Sequence, residues 1–289
     1  MNKKLPSWLN KKIPTPEKRS KVKNLVESLN INTVCQEANC PNIGECFSNK
    51  TATFMILGEN CTRNCKFCAV SAKKPTSVDK NEPRNIARAV KKLGLTYVVI
   101  TSVTRDDLAD GGVKQFVKTI NEIKKISPKI RVEILTPDFQ GKKNILKKLK
   151  KADFEIFAHN IETVPDLYQK IRPEANYNRS LNLLSYMREI MPDIYIKSGL
   201  MLGLGESEKE VLKVLNDLYE VGVEIITIGQ YLAPSSNHAE VKEYIKPKKF
   251  EEYKEAALDI GFETAVAGPF VRSSYRAEKN TPENKDELD

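Results

Sequence analysis

The sequence has no long apolar run and no apolar leader. No stretch approaches the roughly 18 consecutive apolar residues that a transmembrane helix requires, although 40% of its 289 side chains are hydrophobic. Residues 1–23 are rich in lysine and lack the apolar centre of a secretory signal. We therefore expect a cytoplasmic globular protein without a membrane partner, long enough to bury a large core.

Cysteine is absent from most of the chain. The first cysteine is Cys35, the last is Cys68, and all six lie within this segment. Disulfide frameworks are typical of small secreted domains, whereas this chain is long and has no recognisable export signal. The confinement of cysteine to one segment therefore favours metal ligation in a reducing compartment over disulfide bonding.

A basic cluster is also lacking. The net charge is +9, but lysine is distributed along the whole chain, and aromatic residues make up only 7%. Nucleic-acid binding needs basic residues on one face, often beside aromatic residues that stack on bases. We therefore expect no nucleic-acid partner. The positive charge is explained either by a lysine-rich surface or by attraction to an acidic partner, and both explanations remain open.

Apolar runs alternate with helical patterns through most of the chain. Six runs are predicted to be strands: 51–57, 96–101, 131–135, 154–158, 194–200 and 224–229. The helical patterns that follow them lie near 84–94, 113–125, 142–151, up to about 190, 207–221 and 247–260. Such alternation predicts a parallel sheet covered by helices. Because a complete barrel needs eight units, we predict an α/β fold that is a partial (β/α)6 TIM-like barrel.

The predicted barrel divides the chain into three regions. Residues 1–50 form an N-terminal arm, residues 51–265 the barrel and residues 266–289 a C-terminal tail. In barrels of this kind the chemistry takes place at the carboxyl ends of the strands. The loop "CTRNCKFC", at 61–68, follows the first predicted strand. Its three cysteines should therefore lie at the chemically active end.

The spacing of the cysteines favours iron–sulfur clusters over zinc. The two triplets are Cys35, Cys40 and Cys46 in the arm, and Cys61, Cys65 and Cys68 in the barrel. Zinc sites usually pair two C-x2-C knuckles to close a tetrahedron, and this sequence contains no such pair. Thiolates are the usual ligands of iron in clusters. A 4Fe–4S cube has four iron corners, so each triplet leaves one corner without a cysteine.

The barrel triplet, spaced C-x3-C-x2-C, resembles the cluster loop of the radical S-adenosylmethionine (SAM) superfamily. Both triplets, together with "TSVTRDDLADGG", "EILTPDFQG", "HNIETV", "GLMLGLGE" and the late "RSSY", resemble the lipoyl synthase family over nearly the whole chain. Other radical SAM enzymes share the barrel triplet but lack the arm triplet, so the combination is specific.

The resemblance implies two 4Fe–4S clusters and SAM as a co-substrate. SAM would complete the barrel cluster through its amino and carboxylate groups and yield a 5′-deoxyadenosyl radical. Ser274 of "RSSY" would be the fourth ligand of the arm cluster and a catalytic residue. An alkoxide suits iron less well than a thiolate does, so this corner should open readily. On composition alone, Ser273 and Ser274 would be turn residues that cap backbone groups.

Further residues are candidates for SAM contacts: Ser102, Asn160, Glu162, Arg172 and Lys197. Asn160 and Glu162 occupy alternate positions of an extended segment, so both can face SAM's amino group and ribose; the alternative is helix capping. The planar guanidinium of Arg172 suits the SAM carboxylate; the alternative is a surface ion pair. Ser102 and Lys197 are placed at the ends of the second and fifth predicted strands.

The resemblance implies sulfur insertion at carbons 6 and 8 of a protein-bound N6-octanoyl-lysine, with sulfur from the arm cluster. Three partners are implied: an octanoylated lipoyl carrier domain (the glycine-cleavage H protein or a 2-oxoacid dehydrogenase E2 subunit), a flavodoxin or ferredoxin electron donor, and a cluster-resupply protein. Two other classes remain open from the residues alone. They are a metal-containing RNA-binding protein and a regulatory iron–sulfur protein without turnover.

Overall fold

The computed structural model describes residues 5–10, 16–48 and 52–282. The predicted boundary between arm and barrel, at residues 50 and 51, lies outside these ranges, as do the first residues of the arm and the last of the tail. Within the described residues, no helix has both the length and the apolar character needed to cross a bilayer.

One eight-stranded sheet forms the centre of the fold. Its strands are β1 (Asn32–Thr33), β2 (Thr53–Ile56), β3 (Tyr97–Ser102), β4 (Arg131–Leu135), β5 (Ile156–Ala158), β6 (Tyr195–Leu202), β7 (Ile225–Gln230) and β8 (Thr264–Gly268). The spatial order follows the chain order; β1 is antiparallel to β2 and all later pairs are parallel. Among the described strands, β1 and β8 do not pair, so the sheet is an open, partial barrel.

α-Helices lie in the arm and between successive parallel strands. They are α1 (Pro16–Ser28), α2 (Val34–Glu37), α3 (Ile43–Ser48), α4 (Glu82–Leu93), α5 (Val113–Lys124), α6 (Lys143–Leu146), α7 (Tyr168–Ile171), α8 (Tyr177–Ile190), α9 (Glu208–Glu220) and α10 (Pro247–Ile260). The first three belong to the arm. The helix predicted near 142–151 is divided in the structure, because α6 gives way to a 3-10 turn at Lys147–Lys151.

The six predicted strands are confirmed, and the sheet contains two more. The arm contributes β1, whose two residues are too few to produce an alternating pattern. The parallel strand β8 follows α10 and pairs with β7 along its whole length. It therefore continues across the boundary that the sequence analysis placed between residues 265 and 266. The tail begins, in structural terms, after Gly268.

The helices bury one apolar face against the sheet. On α5, Phe116, Ile120 and Ile123 are fully buried at intervals of four and three residues, the spacing of one helical face. On α4, Ile86 and Val90 are buried in the same way. This packing covers one face of the sheet with helices. Because β2 to β8 run parallel, the loops at their carboxyl ends lie at one edge of the sheet.

Candidate functional site

A cavity of about 480 Å³ lies at the carboxyl ends of the parallel strands. The arm, the first barrel loop and the tail all contribute to its wall. Seven predicted metal ligands line it: Cys35, Cys40, Cys46, Cys61, Cys65, Cys68 and Ser274. Cavities of roughly 300 to 1,000 Å³ are typical of small-molecule and cofactor sites. The structure thus brings both cysteine triplets and the predicted serine ligand to one site.

Backbone hydrogen bonds hold the barrel cysteine loop against neighbouring segments. Thr62 N donates to Thr104 O at 3.0 Å, and Lys66 N donates to Ile171 O at 2.8 Å. Thr104 N also donates to Cys61 Sγ at 3.3 Å. This contact fixes the Cys61 side chain against the segment that follows β3. The loop is therefore positioned by the segment after β3 and by the end of α7 as well as by its own strand.

Arg63 anchors the same loop from within. It is 6% exposed, and its guanidinium donates to Asp106 at 2.7 and 3.0 Å and to Asp138 at 3.0 and 2.6 Å. Burial opposes the charge of Arg63, yet the two carboxylates raise its pKa. Burial would raise the pKa of Asp138, but Arg63 holds it well below its usual range. Sequence reasoning missed Arg63, because loop spacing does not reveal which carboxylates it meets.

The tail is tied to the arm on both sides of Ser274. Upstream, Asn42 Nδ2 donates to Phe270 O at 2.7 Å. Downstream, the Tyr275 hydroxyl donates to Glu45 Oε1 at 2.7 Å. These contacts join segments that are more than two hundred residues apart in sequence. They explain how a residue near the end of the chain reaches the arm cysteines.

Asn160 and Glu162 both line the cavity, and Asn160 Nδ2 donates to Glu162 Oε1 at 3.0 Å. Glu162 has a left-handed backbone, with φ of 68°, a conformation that residues other than glycine rarely adopt. Its N–H is fixed by Gly199 O at 3.0 Å, and burial raises its pKa. Neither side chain caps the turn that begins at Pro165, so the geometry favours the ligand interpretation over helix capping.

Arg172 is buried beside the cavity rather than paired on the surface. It is 9% exposed, and its Nη1 donates to Asn160 O at 3.0 Å and to Ile161 O at 2.9 Å. Within the described part of the chain, Arg172 Nε and Ser102 Oγ are buried without a hydrogen-bond partner. Buried polar atoms are normally paired. Since both residues line the cavity, these two atoms fit a polar ligand bound there.

Comparison with known proteins gives the family. Residues 55–218 match the radical SAM superfamily, and residues 1–40 match the N-terminal domain of lipoyl synthase of the radical SAM family. The lipoyl synthase of Caldicellulosiruptor saccharolyticus is 53% identical over 97% of this chain and 99% of its own length. That of Buchnera aphidicola subsp. Cinara cedri is 55% identical over 96% of this chain and 89% of its own. This chain belongs to the lipoyl synthase family of radical SAM enzymes.

Solved radical SAM structures share the fold of this family member. SuiB of Streptococcus suis bound to S-adenosylmethionine has a TM-score of 0.56 at 14% identity, with 84% of this chain and 57% of that chain covered. The FeFe-hydrogenase maturase HydG of Carboxydothermus hydrogenoformans has a TM-score of 0.55 at 18% identity, with 84% and 64% covered. At such identities the likeness concerns the partial barrel alone. This chain spans only part of those longer proteins.

The donor set fits the 4Fe–4S cluster that membership of the radical SAM superfamily implies. All six cysteines are free. Burial raises the pKa of Cys35 to about 11 and that of Cys68 to about 12, so a metal is needed to hold them as thiolates. Among the described residues, no three His, Cys, Asp or Glu side chains lie close enough together to hold a single metal ion. Cysteine thiolates are the usual ligands of iron–sulfur clusters.

Lys197 is not brought to the cavity with the other candidates. Its Nζ lies 2.8 Å from Glu133 Oε1, and neither side chain is more than 1% exposed. The other carboxylate oxygen accepts from the Tyr97 hydroxyl at 2.7 Å. Along β6, Lys197 precedes the cavity residue Gly199 by two positions, which places both on one face of the sheet. The structure therefore places this lysine in a buried ion pair one layer below the cavity.

A stability measurement separates this structural role from the predicted SAM contact. We expect Lys197→Met to lower the free energy of unfolding by roughly 3–5 kcal/mol, because Glu133 then remains buried without a counter-ion. Urea unfolding of the cluster-free chain measures this loss. Adding Glu133→Leu should restore much of it, since apolar replacement of a buried pair is often neutral. Unchanged stability with weakened SAM binding would instead support the ligand role.

The two histidines have structural partners. His159 Nδ1 lies 2.8 Å from Thr136 O and its Nε2 lies 2.9 Å from Ser180 Oγ. Burial lowers the pKa of His159 to about 4, so the ring is neutral at physiological pH. His238 Nε2 lies 3.1 Å from Cys68 O and joins the loop after β7 to the cluster loop. Sequence reasoning assigned His238 no role, because irregular loops carry no periodic signal.

Proposed function

We propose that this chain inserts sulfur at carbons 6 and 8 of an octanoyl group, carried as N6-octanoyl-lysine on a lipoyl carrier domain, with sulfur from the arm cluster. One observation carries the proposal: both cysteine triplets and Ser274 line a single cavity. Sulfur can be joined to an activated carbon only when donor and carbon are within bonding reach. A shared cavity meets that requirement.

Cys61, Cys65 and Cys68 would hold the cluster that binds SAM. When bound, this cluster and SAM supply the one-electron chemistry that removes hydrogen from unactivated carbon, while the protein provides binding and orientation. The Glu162 carboxylate suits the SAM amino group, and the unpaired Arg172 Nε suits an acidic oxygen. These roles follow from the position of both residues in the cavity wall.

The same cavity suits an octanoyl chain. Apolar side chains line it beside the cysteines: Val34, Met55, Leu135, Leu200 and Val271. They come from the arm, the barrel and the tail, so the three regions together enclose the apolar part of the site. Apolar walls with a few placed polar groups are typical of small-molecule sites, and the exclusion of water protects reactive carbon from side reactions.

Cys35, Cys40, Cys46 and Ser274 would hold the arm cluster. Among the described residues, the Ser274 hydroxyl has no hydrogen-bond partner, whereas Ser273 Oγ lies 2.6 Å from Asn160 Nδ2. A capping role for Ser274 therefore gains no support. Because oxygen suits iron less well than sulfur does, the iron held by Ser274 is the one expected to leave when a sulfide is given up.

Labelled sulfur tests the proposal. The chain is loaded anaerobically with ³⁴S-labelled clusters, supplied with reductant, SAM and an octanoylated carrier peptide, and kept in unlabelled sulfide. Mass spectrometry of the first-turnover peptide should show two ³⁴S atoms, with at most one lipoyl group formed per chain. Unlabelled product, or many turnovers without a cluster source, would contradict a sacrificial arm cluster. Absence of SAM cleavage would contradict the proposed function as a whole.

The proposal extends to partners and location. We propose a cytoplasmic site of action, an octanoylated H protein or E2 subunit as carrier, a flavodoxin or ferredoxin as electron donor, and a protein that resupplies the cluster. The net charge of +9 supports attraction to an acidic carrier domain. Neither nucleic acid nor membrane is part of the proposal.

Carrier binding is expected to weaken as salt rises. Charges on the two surfaces are screened over about 8 Å at physiological ionic strength, so added salt should raise the Kd for an acidic carrier domain. Isothermal titration at low and at physiological ionic strength measures this change. An affinity that does not depend on salt would assign the excess lysine to surface solubility instead.

A further inference from the structure

The tail contacts the barrel as well as the arm, and the barrel contact is made by Ser273. Its Oγ lies 2.6 Å from Asn160 Nδ2 and 2.9 Å from Asn160 Oδ1, so the hydroxyl meets both ends of one amide. Ser273 is the immediate neighbour of Ser274. On the other side of Ser274, Tyr275 is bound to the arm through Glu45. Ser274 is therefore held between a barrel anchor and an arm anchor.

Asn160 connects this barrel anchor to the candidate SAM site. The same Nδ2 that meets Ser273 donates to Glu162 Oε1 at 3.0 Å. An amide nitrogen has two hydrogens, so both contacts can exist together, and each limits the rotation of the Asn160 side chain. Ser273, Asn160 and Glu162 thus form one chain of hydrogen bonds from the tail to a carboxylate in the cavity wall.

The hydrogen bonds that link Ser273, Asn160 and Glu162 pass close to the backbone of β6. There is room for them only because residue 199 is glycine. A Cβ at Gly199 would lie 3.2 Å from Ser273 Oγ, 3.2 Å from Asn160 Oδ1 and 2.4 Å from Thr227 Oγ1. The last distance is far below normal van der Waals contact. The close approach of the tail serine to β6 is therefore a feature of the packed barrel and depends on the absence of a side chain there.

We propose that Ser273 is a positioning residue that couples SAM binding to the tail carrying Ser274. Its hydroxyl fixes the Asn160 amide, and through it the Glu162 carboxylate, in the orientation that receives SAM. Coupling between two sites is reciprocal. SAM bound to Asn160 and Glu162 therefore stabilises the hydrogen bonds between Ser273 and Asn160 and orders the tail. This inference rests on the proposed function, because it assumes that SAM occupies this wall.

Two measurements on the cluster-loaded chain test the coupling. The first needs no variant: hydrogen–deuterium exchange of the amides of residues 271–280 should slow when SAM is added. The second is the Kd for SAM. Ser273→Ala should raise it about fivefold, since one hydrogen bond contributes about 1 kcal/mol, and should remove the SAM-dependent protection. Ser273→Thr keeps the hydroxyl and should remain close to the parent in both measurements.

Tyr275→Phe is the matched control. It also removes one hydroxyl from the tail, but its partner is Glu45 in the arm. It should speed exchange in the tail with and without SAM, and because it leaves the Ser273–Asn160 contact in place, it should raise the Kd for SAM clearly less than Ser273→Ala does. Equal weakening of SAM binding by both variants would mean that any loosening of the tail matters, and the specific role of Ser273 would be lost. Iron and sulfide content of each variant confirms that the clusters are in place.

The outcomes separate this inference from the proposed function. A parent chain that forms lipoyl product while SAM leaves tail exchange unchanged would overturn the coupling alone. Parental SAM affinity in Ser273→Ala would do the same. A parent chain that binds no SAM would overturn both proposals. Slowed exchange in the parent, lost in Ser273→Ala and kept in Ser273→Thr, would establish the coupling.

Discussion

A chain with alanine in place of Cys61, Cys65 and Cys68 is expected to bind one 4Fe–4S cluster and to cleave no SAM. The cluster that remains is the arm cluster, because its ligands come from α2, α3, the turn between these helices and the tail. Those segments are joined by their own contacts, including Asn42 to Phe270. This contact does not involve the barrel cysteine loop. Iron and sulfide analysis gives the cluster count, and chromatography of 5′-deoxyadenosine gives SAM cleavage.

The reciprocal replacement is its control. Alanine at Cys35, Cys40 and Cys46 should also leave one cluster, but 5′-deoxyadenosine should still form, and no sulfur should enter the octanoyl chain. The barrel loop retains its ligands here, and Arg63 still holds it through Asp106 and Asp138. Sulfur-containing product from this variant would show that the arm triplet has been given the wrong role. Loss of both clusters from either variant would show that the two sites do not fold separately.

The barrel was predictable because its strands are both apolar and regularly spaced. The strand predicted at 131–135 is β4 with identical bounds, and the run at 96–101 differs from β3 by one residue at each end. The strand β8, "TAVAG", was missed: it consists of small residues that do not alternate in polarity. Its partner β7 supplies the hydrogen bonds that make it a strand. Such tertiary pairing leaves no local signal in the sequence.

The site residues, like the strands, were predictable where the signal is local in sequence and not where it depends on long-range contacts. The cysteines were identifiable because ligand spacing within a loop is a local property, and all of them line the cavity. Lys197 was predicted from its place in a strand, but strand position fixes only the face and not the depth within the barrel. Its partner Glu133 lies 64 residues away in sequence. The contacts of Arg63 and Ser273 are also long-range, so only the folded chain shows them.

Replacement of Ser274 by alanine is expected to leave SAM cleavage intact and to slow sulfur insertion more than roughly 100-fold, since loss of a direct ligand should exceed the 10- to 100-fold cost of losing an outer-shell partner. The arm cluster would lose the ligand of one iron while the barrel cluster keeps all of its own. The readouts are 5′-deoxyadenosine and the mass of an octanoylated peptide, measured in one anaerobic reaction. Normal lipoyl formation would show that Ser274 is only a turn residue.

Two further substitutions at the same position separate the presence of a ligand from its strength. Ser274→Thr retains an alkoxide and should retain sulfur insertion. Ser274→Cys supplies a thiolate, which iron prefers, so the cluster should keep four irons through reduction and SAM cleavage. If the weak oxygen ligand is what lets one iron leave, Ser274→Cys inserts sulfur more slowly than the parent despite a complete cluster. If Ser274→Cys and the parent insert sulfur at equal rates, Ser274 holds the cluster without controlling its opening.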